Sequence, residues 1–290
     1  MRCVGSDVRC VAIFSNGKSF FGTLMVRRNE YVRTAIKHSC EDRVELRREI
    51  SDERKVTGTD PFPLDQDRMA RRQKNKHCAY CGAPAPETKD HVIPHELYPA
   101  SKLDSKVQRL TVPACSKCNN GWSDDEPHFR TLLTLAGEPN AAVRELWDGV
   151  VNRSLREKDG PRRLEDVWNR MRPIETDGGV RHKIYPASDE RFLRVMRKIV
   201  RGLHYHEREY YVSDDLVSVD VLRTEIPGEF LDAMPVYHRE PDIFKYQFEV
   251  FDAFEDIPMS STWLLTFFEN RKFIASVWKS RETLREHTNG

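Results

Sequence analysis

His77-Cys78-Ala79-Tyr80-Cys81-Gly82 and, further on, Val112-Pro113-Ala114-Cys115-Ser116-Lys117-Cys118-Asn119-Asn120 are the two stretches that decide how this chain is read. Each holds a C-x2-C knuckle, a turn tight enough to aim two thiolates at one metal. Together Cys78, Cys81, Cys115 and Cys118 offer the tetrahedral all-sulfur set that suits structural Zn²⁺. The 33 residues between Cys81 and Cys115 exceed the span of a compact zinc ribbon, so a small substructure is expected between the knuckles. The seven cysteines are an odd number, and the chain opens without a convincing secretory signal, which argues against a disulfide framework. Cys3, Cys10 and Cys40 have no such partners and read as small apolar residues.

Charge singles out the same region. The whole chain carries +1, yet Arg68 to Cys118 holds ten Lys/Arg against four Asp/Glu. A basic island in a slightly acidic chain points to a local anionic ligand. The 290 residues include 14 Phe, 9 Tyr and 5 Trp, enough aromatic surface to exclude a fully disordered chain. The most apolar runs, such as Trp263 to Phe268, fall far short of the roughly 18 to 20 residues needed to span a bilayer. A cytoplasmic protein without a membrane partner is the expectation.

Between the knuckles the chain reads Glu87-Thr88-Lys89-Asp90-His91-Val92-Ile93-Pro94-His95. C-x2-C-G, then D-H-V-I-P, then V-P-A-C-x2-C-N-N resembles the HNH endonuclease family, whose core is the ββα-metal fold. The resemblance covers residues 77 to about 130, under a fifth of the chain. It implies that His91 is a general base activating water and that Asp90 and Asn119 hold one catalytic divalent ion, Mg²⁺ or Mn²⁺. Hard oxygen donors suit those ions, whereas the four thiolates suit zinc. Phosphodiester hydrolysis needs both functions: a base for the water and positive charge for the transition state. The implied substrate is DNA, double-stranded.

One position departs from the family. Its middle residue is usually Asn, which orients the hairpin through the backbone. Here strict spacing places Leu110 there, and a two-residue-longer variant places Gln108. Gln108 could form such a bond through its amide; Leu110 could not. Asn120 is the alternative to Asn119 as ligand. The family fold places Asn119 near a helix, while Ser123 with Glu126 reads as a capping box that starts a helix later. Arg68, Arg71, Arg72, Lys74 and Lys76 form either a solvated helix face or, the favoured reading, an arm on DNA phosphates, setting affinity and salt dependence. Tyr80 and Trp122 read as packing residues, and His77 and His95 as surface histidines.

The expected fold class is α+β: a central ββα-metal core with a four-cysteine zinc site, an N-terminal hairpin and helix segment, and a C-terminal antiparallel sheet plus helix. Four segments are expected: 1–64 (hairpin and helix), 65–130 (the nuclease core), 131–180 (a helical connector) and 181–290 (the α+β unit). Asn16-Gly17 between apolar runs is a hairpin signal. Residues 28 to 55 are helix-compatible, and 57 to 63 form a linker-like break. Gly137-Glu138-Pro139 should break a helical stretch, and Trp168 and Met171 should anchor a highly charged one. Arg191 to His204 is an amphipathic helix pattern, with Phe192, Val195, Met196, Ile199, Val200 and Leu203 on one side and Arg194, Arg197, Lys198 and Arg201 on the other. His204-Tyr205-His206-Glu207 reads as the end of a surface strand rather than a second metal site. Strand-like runs follow at 210–212, 217–222, 244–254, 262–268 and 273–277.

The leading function is thus a metal-dependent DNA endonuclease of the restriction or antiphage-defence kind, with the chain ends positioning substrate, dimerising or binding a protein partner through the C-terminal unit. A non-catalytic zinc-knuckle module that binds nucleic acid is the alternative. A purely structural zinc hub is the third reading, and the basic island argues against it.

Overall fold

The helix that organises the structure begins where its sequence says it should. Asp189 caps it, its side chain accepting the Phe192 N–H at 2.9 Å, and the helix runs Glu190–Arg208 until Glu209 turns left-handed at φ 65°. This computed structural model describes residues 77–103, 105–175, 181–222, 234–238, 240–252, 255 and 257–289. The expected N-terminal hairpin, the helix over 28–55, the linker, the other three cysteines and the basic arm Arg68–Lys76 lie outside the described residues.

In chain order the elements are β1 (Thr88–His91), α1 (Ala100–Leu103), β2 (Thr111–Ala114), α2 (Ser116–Asn120), α3 (Glu126–Leu135), α4 (Ala141–Leu146), α5 (Asn152–Arg156), α6 (Gly160–Arg170), β3 (Arg172–Glu175), β4 (Arg181–Ile184), α7 (Glu190–Arg208), β5 (Val217–Val221), β6 (Tyr237–His238), β7 (Phe244–Val250), β8 (Met259–Phe267), β9 (Arg271–Trp278) and α8 (Arg281–Asn289). A π-helical turn, Trp147–Val151, joins α4 to α5. Strands β1 and β2 pair antiparallel, as do β3 and β4, and the remaining five form one antiparallel sheet in the order β5-β9-β8-β7-β6. The protein is therefore mixed α+β, as expected.

Helix α7 lies between two layers. Its apolar stripe packs on the sheet: Phe192 meets Phe273 of β9 with ring centroids 5.6 Å apart, and His204 meets Trp263 of β8 at 6.1 Å. Two residues of its basic side, Lys198 and Arg201, face the β1–β2 hairpin and the first knuckle, while Arg194 pairs with Asp125 and Arg197 with Glu190 and Asp214. Lys198 and Arg201 are buried. Gly202 sits where helix and hairpin cross, and a Cβ there would stand 3.1 Å from both Val92 methyl carbons. One continuous hydrophobic cluster consequently links Cys78, Tyr80 and Val112 to Phe192, Trp263 and Val277.

Phe129 of α3 closes the joint between the layers. Its ring is fully buried, 4.8 Å from Phe192 and 5.8 Å from Phe267. Replacing it with Ala leaves a void the size of a ring at a three-element junction, so Phe129→Ala is expected to cost about 3–5 kcal/mol. Urea unfolding of the variant, with an unchanged slope and a lower midpoint, checks this.

Several local expectations need correction. Trp168 is exposed, and its neighbour Val167 is the buried apolar side chain of α6. The connector ends in the β3–β4 hairpin rather than staying helical. No strand forms at 210–212. His204-Tyr205-His206-Glu207 belongs to the last turns of α7, where His204 packs on Trp263. His204 is wholly buried and burial holds its pKa down to about 4, while the Glu207 carboxylate accepts the Tyr246 hydroxyl at 2.7 Å. Asn119 lies in α2, which starts directly after Cys115, and the Ser123 capping box does not form. Asp125 is the N-cap of the next helix, and Ser123 donates to the Asn120 carbonyl. The family placement of Asn119 on a helix therefore holds, and the Ser123 cap is the reading that fails, because a separate helix has its N-cap two residues later. Among the described residues no helix is long and apolar enough to cross a membrane.

Candidate functional site

The two knuckles are built by backbone hydrogen bonds. Gly82 N–H returns to the Cys78 carbonyl at 2.9 Å and Cys78 N–H donates to Ala83 at 2.8 Å, closing the first turn. Gly82 adopts φ +71°, where a side chain is strained. Ala79 N–H donates to the Pro113 carbonyl at 2.9 Å, which ties the first knuckle to the strand feeding the second. Glu87 completes the clamp, since its carboxylate accepts the Ser116 N–H at 3.2 Å and so caps the start of α2.

As a result the four sulfurs of Cys78, Cys81, Cys115 and Cys118 lie within 4.8 Å of one another. Four thiolates at that spacing can hold a zinc ion. Their protonation fits such a role. Burial alone would raise the Cys78 thiol, but the N–H groups of Cys115, Tyr80 and Cys81 bring it down to about 7. Burial raises the Cys81 thiol, and burial with the neighbouring sulfurs raises that of Cys118. Without a dication the cluster therefore keeps some of its protons. This is the only group of three or more His, Cys, Asp or Glu side chains with metal-ligand geometry among the described residues.

Asp90 and His91 occupy consecutive positions of β1, opposite Val112 and Thr111. Successive strand residues face opposite ways, and the burial pattern follows: Asp90 is buried and His91 partly exposed. The His91 Nδ1 is buried without a hydrogen-bond partner, so chemistry on solvent must pass through Nε2. Burial lowers the His91 pKa below its ordinary 6.5, and His95, with its ring 5.9 Å away, and Arg109 add to the shift. A neutral imidazole facing solvent among cations is able to accept a proton near neutral pH.

Asp90 faces inward to a charge cluster absent from the sequence reading. The Tyr80 hydroxyl donates to its Oδ2 at 2.7 Å. The Lys198 Nζ stands 3.0 Å from Oδ2 and 3.2 Å from Oδ1, and 2.7 Å from the Glu126 Oε1. Burial raises the Glu126 carboxyl, with Lys198 opposing the shift. Arg201 reinforces the arrangement by donating to the Tyr80 carbonyl and, at 2.8 Å, to that of Val212. Trp122 packs edge-on to Tyr80 at 6.1 Å, so both rings are packing residues, as expected.

These contacts bear on the implied divalent ion. Mg²⁺ requires a nearly octahedral oxygen shell and keeps several waters, whereas Asp90 is 7% exposed and has both oxygens engaged. An ion on Asp90 would stand near the ammonium, where a double and a single charge about 4 Å apart repel by roughly 8 kcal/mol at an effective dielectric of about 20. Asn119 is half-buried, and no hydrogen bond joins it to Asp90. As they stand, Asp90 and Asn119 do not fit a divalent ion. Asn120 is exposed, as is Gln108, whose amide makes no hydrogen bond among the described residues. Leu110 packs against the core and its carbonyl accepts the Val92 N–H at 3.0 Å, so the backbone alone ties the hairpin at that position.

The sequence reading missed Lys198 and Glu126. The signal available was Gly202 inside α7: a glycine in mid-helix marks a close approach, and the basic stripe beside it marks what approaches. Scans against protein-family models, curated proteins and solved structures return no match in any of the three.

Proposed function

We propose that this protein is an HNH-type endonuclease that hydrolyses DNA phosphodiester bonds, with zinc on the four thiolates and His91 activating the attacking water. The observation that carries the reading is the placement of His91: a partly exposed imidazole with a depressed pKa, on a hairpin tied to both cysteine knuckles. The pairing of β1 with β2, with α1 in their connection and α2 directly after β2, also supports the reading. No step is assigned to Mg²⁺ or Mn²⁺, because Asp90 is not open to one. The charge beside His91 comes from this chain: Arg109 and Lys198 both act on its imidazole, and Lys89, Lys106 and Lys117 are exposed on the same segment. Such a surface would bind a polyanion with strong salt dependence. The test is relaxation or linearisation of supercoiled plasmid by the zinc-loaded chain. Cleavage supports the reading. Salt-sensitive binding without cleavage under any ionic condition supports the zinc-knuckle binding module instead.

A further inference from the structure

Lys198 reaches the hairpin from α7, far outside the segment that resembles a nuclease. Its ammonium spans both Asp90 oxygens at 3.0 and 3.2 Å and takes a third contact, to Glu126, at 2.7 Å. The ammonium thus hydrogen-bonds one oxygen of Asp90 and one of Glu126, with the second Asp90 oxygen at ion-pair distance. Lys198 is 1% exposed. A buried lysine kept only for stability is an expensive choice, because an apolar residue of similar length fills the volume without the desolvation. Here the lysine binds the one carboxylate that a metal-dependent site of this kind would need.

We propose that Lys198 is a positioning residue that takes the place of a divalent cation at Asp90. It fixes Asp90, and with it the end of β1 that carries His91, while keeping Mg²⁺ and Mn²⁺ off the carboxylate. The term "place of a divalent cation" rests on the nuclease reading; the exclusion of ions from Asp90 does not. The C-terminal unit thereby completes the site, because the knuckles and hairpin lack this charge when α7 is absent.

The experiment uses the full zinc-loaded chain, with zinc content measured for every variant. Mn²⁺ is titrated and free Mn²⁺ followed by electron paramagnetic resonance. Wild type and Asp90→Asn are expected to bind Mn²⁺ indistinguishably. Lys198→Met, which keeps the length and removes the charge, leaves Asp90 and Glu126 facing each other uncompensated. It should bind one Mn²⁺ at least about tenfold more tightly than wild type. Adding Asp90→Asn to Lys198→Met should remove that gain, and Lys198→Arg, which keeps the charge, should not produce it. If Asp90→Asn alone weakens Mn²⁺ binding tenfold, the assignment is overturned, and this comparison decides the matter even if Lys198→Met fails to fold. Plasmid cleavage separates the two ideas. Cleavage that strictly needs added Mg²⁺ and vanishes together with Mn²⁺ affinity in Asp90→Asn overturns the role of Lys198 and keeps the nuclease. Absence of cleavage under all conditions, with the Mn²⁺ results as expected, defeats the nuclease and leaves Lys198 as a guard of Asp90.

Discussion

Removing zinc with a strong chelator, or replacing Cys78 or Cys115 with Ser, is expected to unfold the segment from Cys78 to Asn119. That segment has two four-residue strands and helices of four and five residues. Helices that short are not stable by themselves, nor is an isolated two-stranded hairpin. What holds them is the cross-link between knuckles. Structural zinc sites contribute on the order of 10–16 kcal/mol, comparable to the roughly 5–15 kcal/mol of a whole domain. The contacts of Val92 and Tyr80 with Gly202 of α7 would leave a collapsed remnant rather than a free chain. The expected readout is loss of near-ultraviolet dichroism from Tyr80 and Trp122 and rapid proteolysis within 77–123, with α7 and the sheet protected. The pH dependence has a definite sign. Zinc needs all four sulfurs as thiolates, and the Cys81 and Cys118 thiols sit high without metal. Loading must therefore release protons, and zinc affinity must fall as pH falls. A chain that keeps its near-ultraviolet signal and protease resistance after complete zinc removal would falsify the staple.

The contrast between what sequence showed and what it hid follows from the range of the interactions. The knuckles were legible because spacing within C-x2-C is local geometry. The apolar stripe of α7, the break at Gly137 and the strands β7, β8 and β9 were legible because period and turn chemistry are local too. The destination of the basic stripe was not, since Lys198 reads as a solvated residue until β1 is placed opposite it. The same applies to Asp90. A D-H pair carries no statement of which way each side chain points; that comes from strand pairing with Val112 and Thr111. His204 to Glu207 misled for a related reason: four residues fit a strand's alternation or a helix's last turn equally, and only the packing of His204 on Trp263 selects the helix.

His91→Ala is expected to abolish plasmid cleavage, with a loss of two to four orders of magnitude, roughly what a positioned general base supplies. Zinc content and melting temperature should stay near wild type, because His91 is partly exposed and its Nδ1 already lacks a partner. The pH profile makes the assignment specific. The active form is neutral imidazole, so activity should rise with pH through the His91 pKa and then level off. Burial, His95 and Arg109 put that pKa below 6.5, hence the acidic limb lies below that of an ordinary imidazole. His95→Ala removes one of those positive neighbours and should move the acidic limb upward while leaving the plateau intact. Stability follows the same sign. Between the lowered folded value and 6.5 the unfolded chain binds more protons, so the contribution of His91 to stability is complete above 6.5 and declines as pH falls through the folded value. A purely structural His91 would couple stability to pH in this way as well, but only a base ties the acidic limb of the cleavage rate to the same group. The two roles separate in the His95→Ala variant, where a limb that stays in place while the stability curve moves would remove His91 from the chemistry.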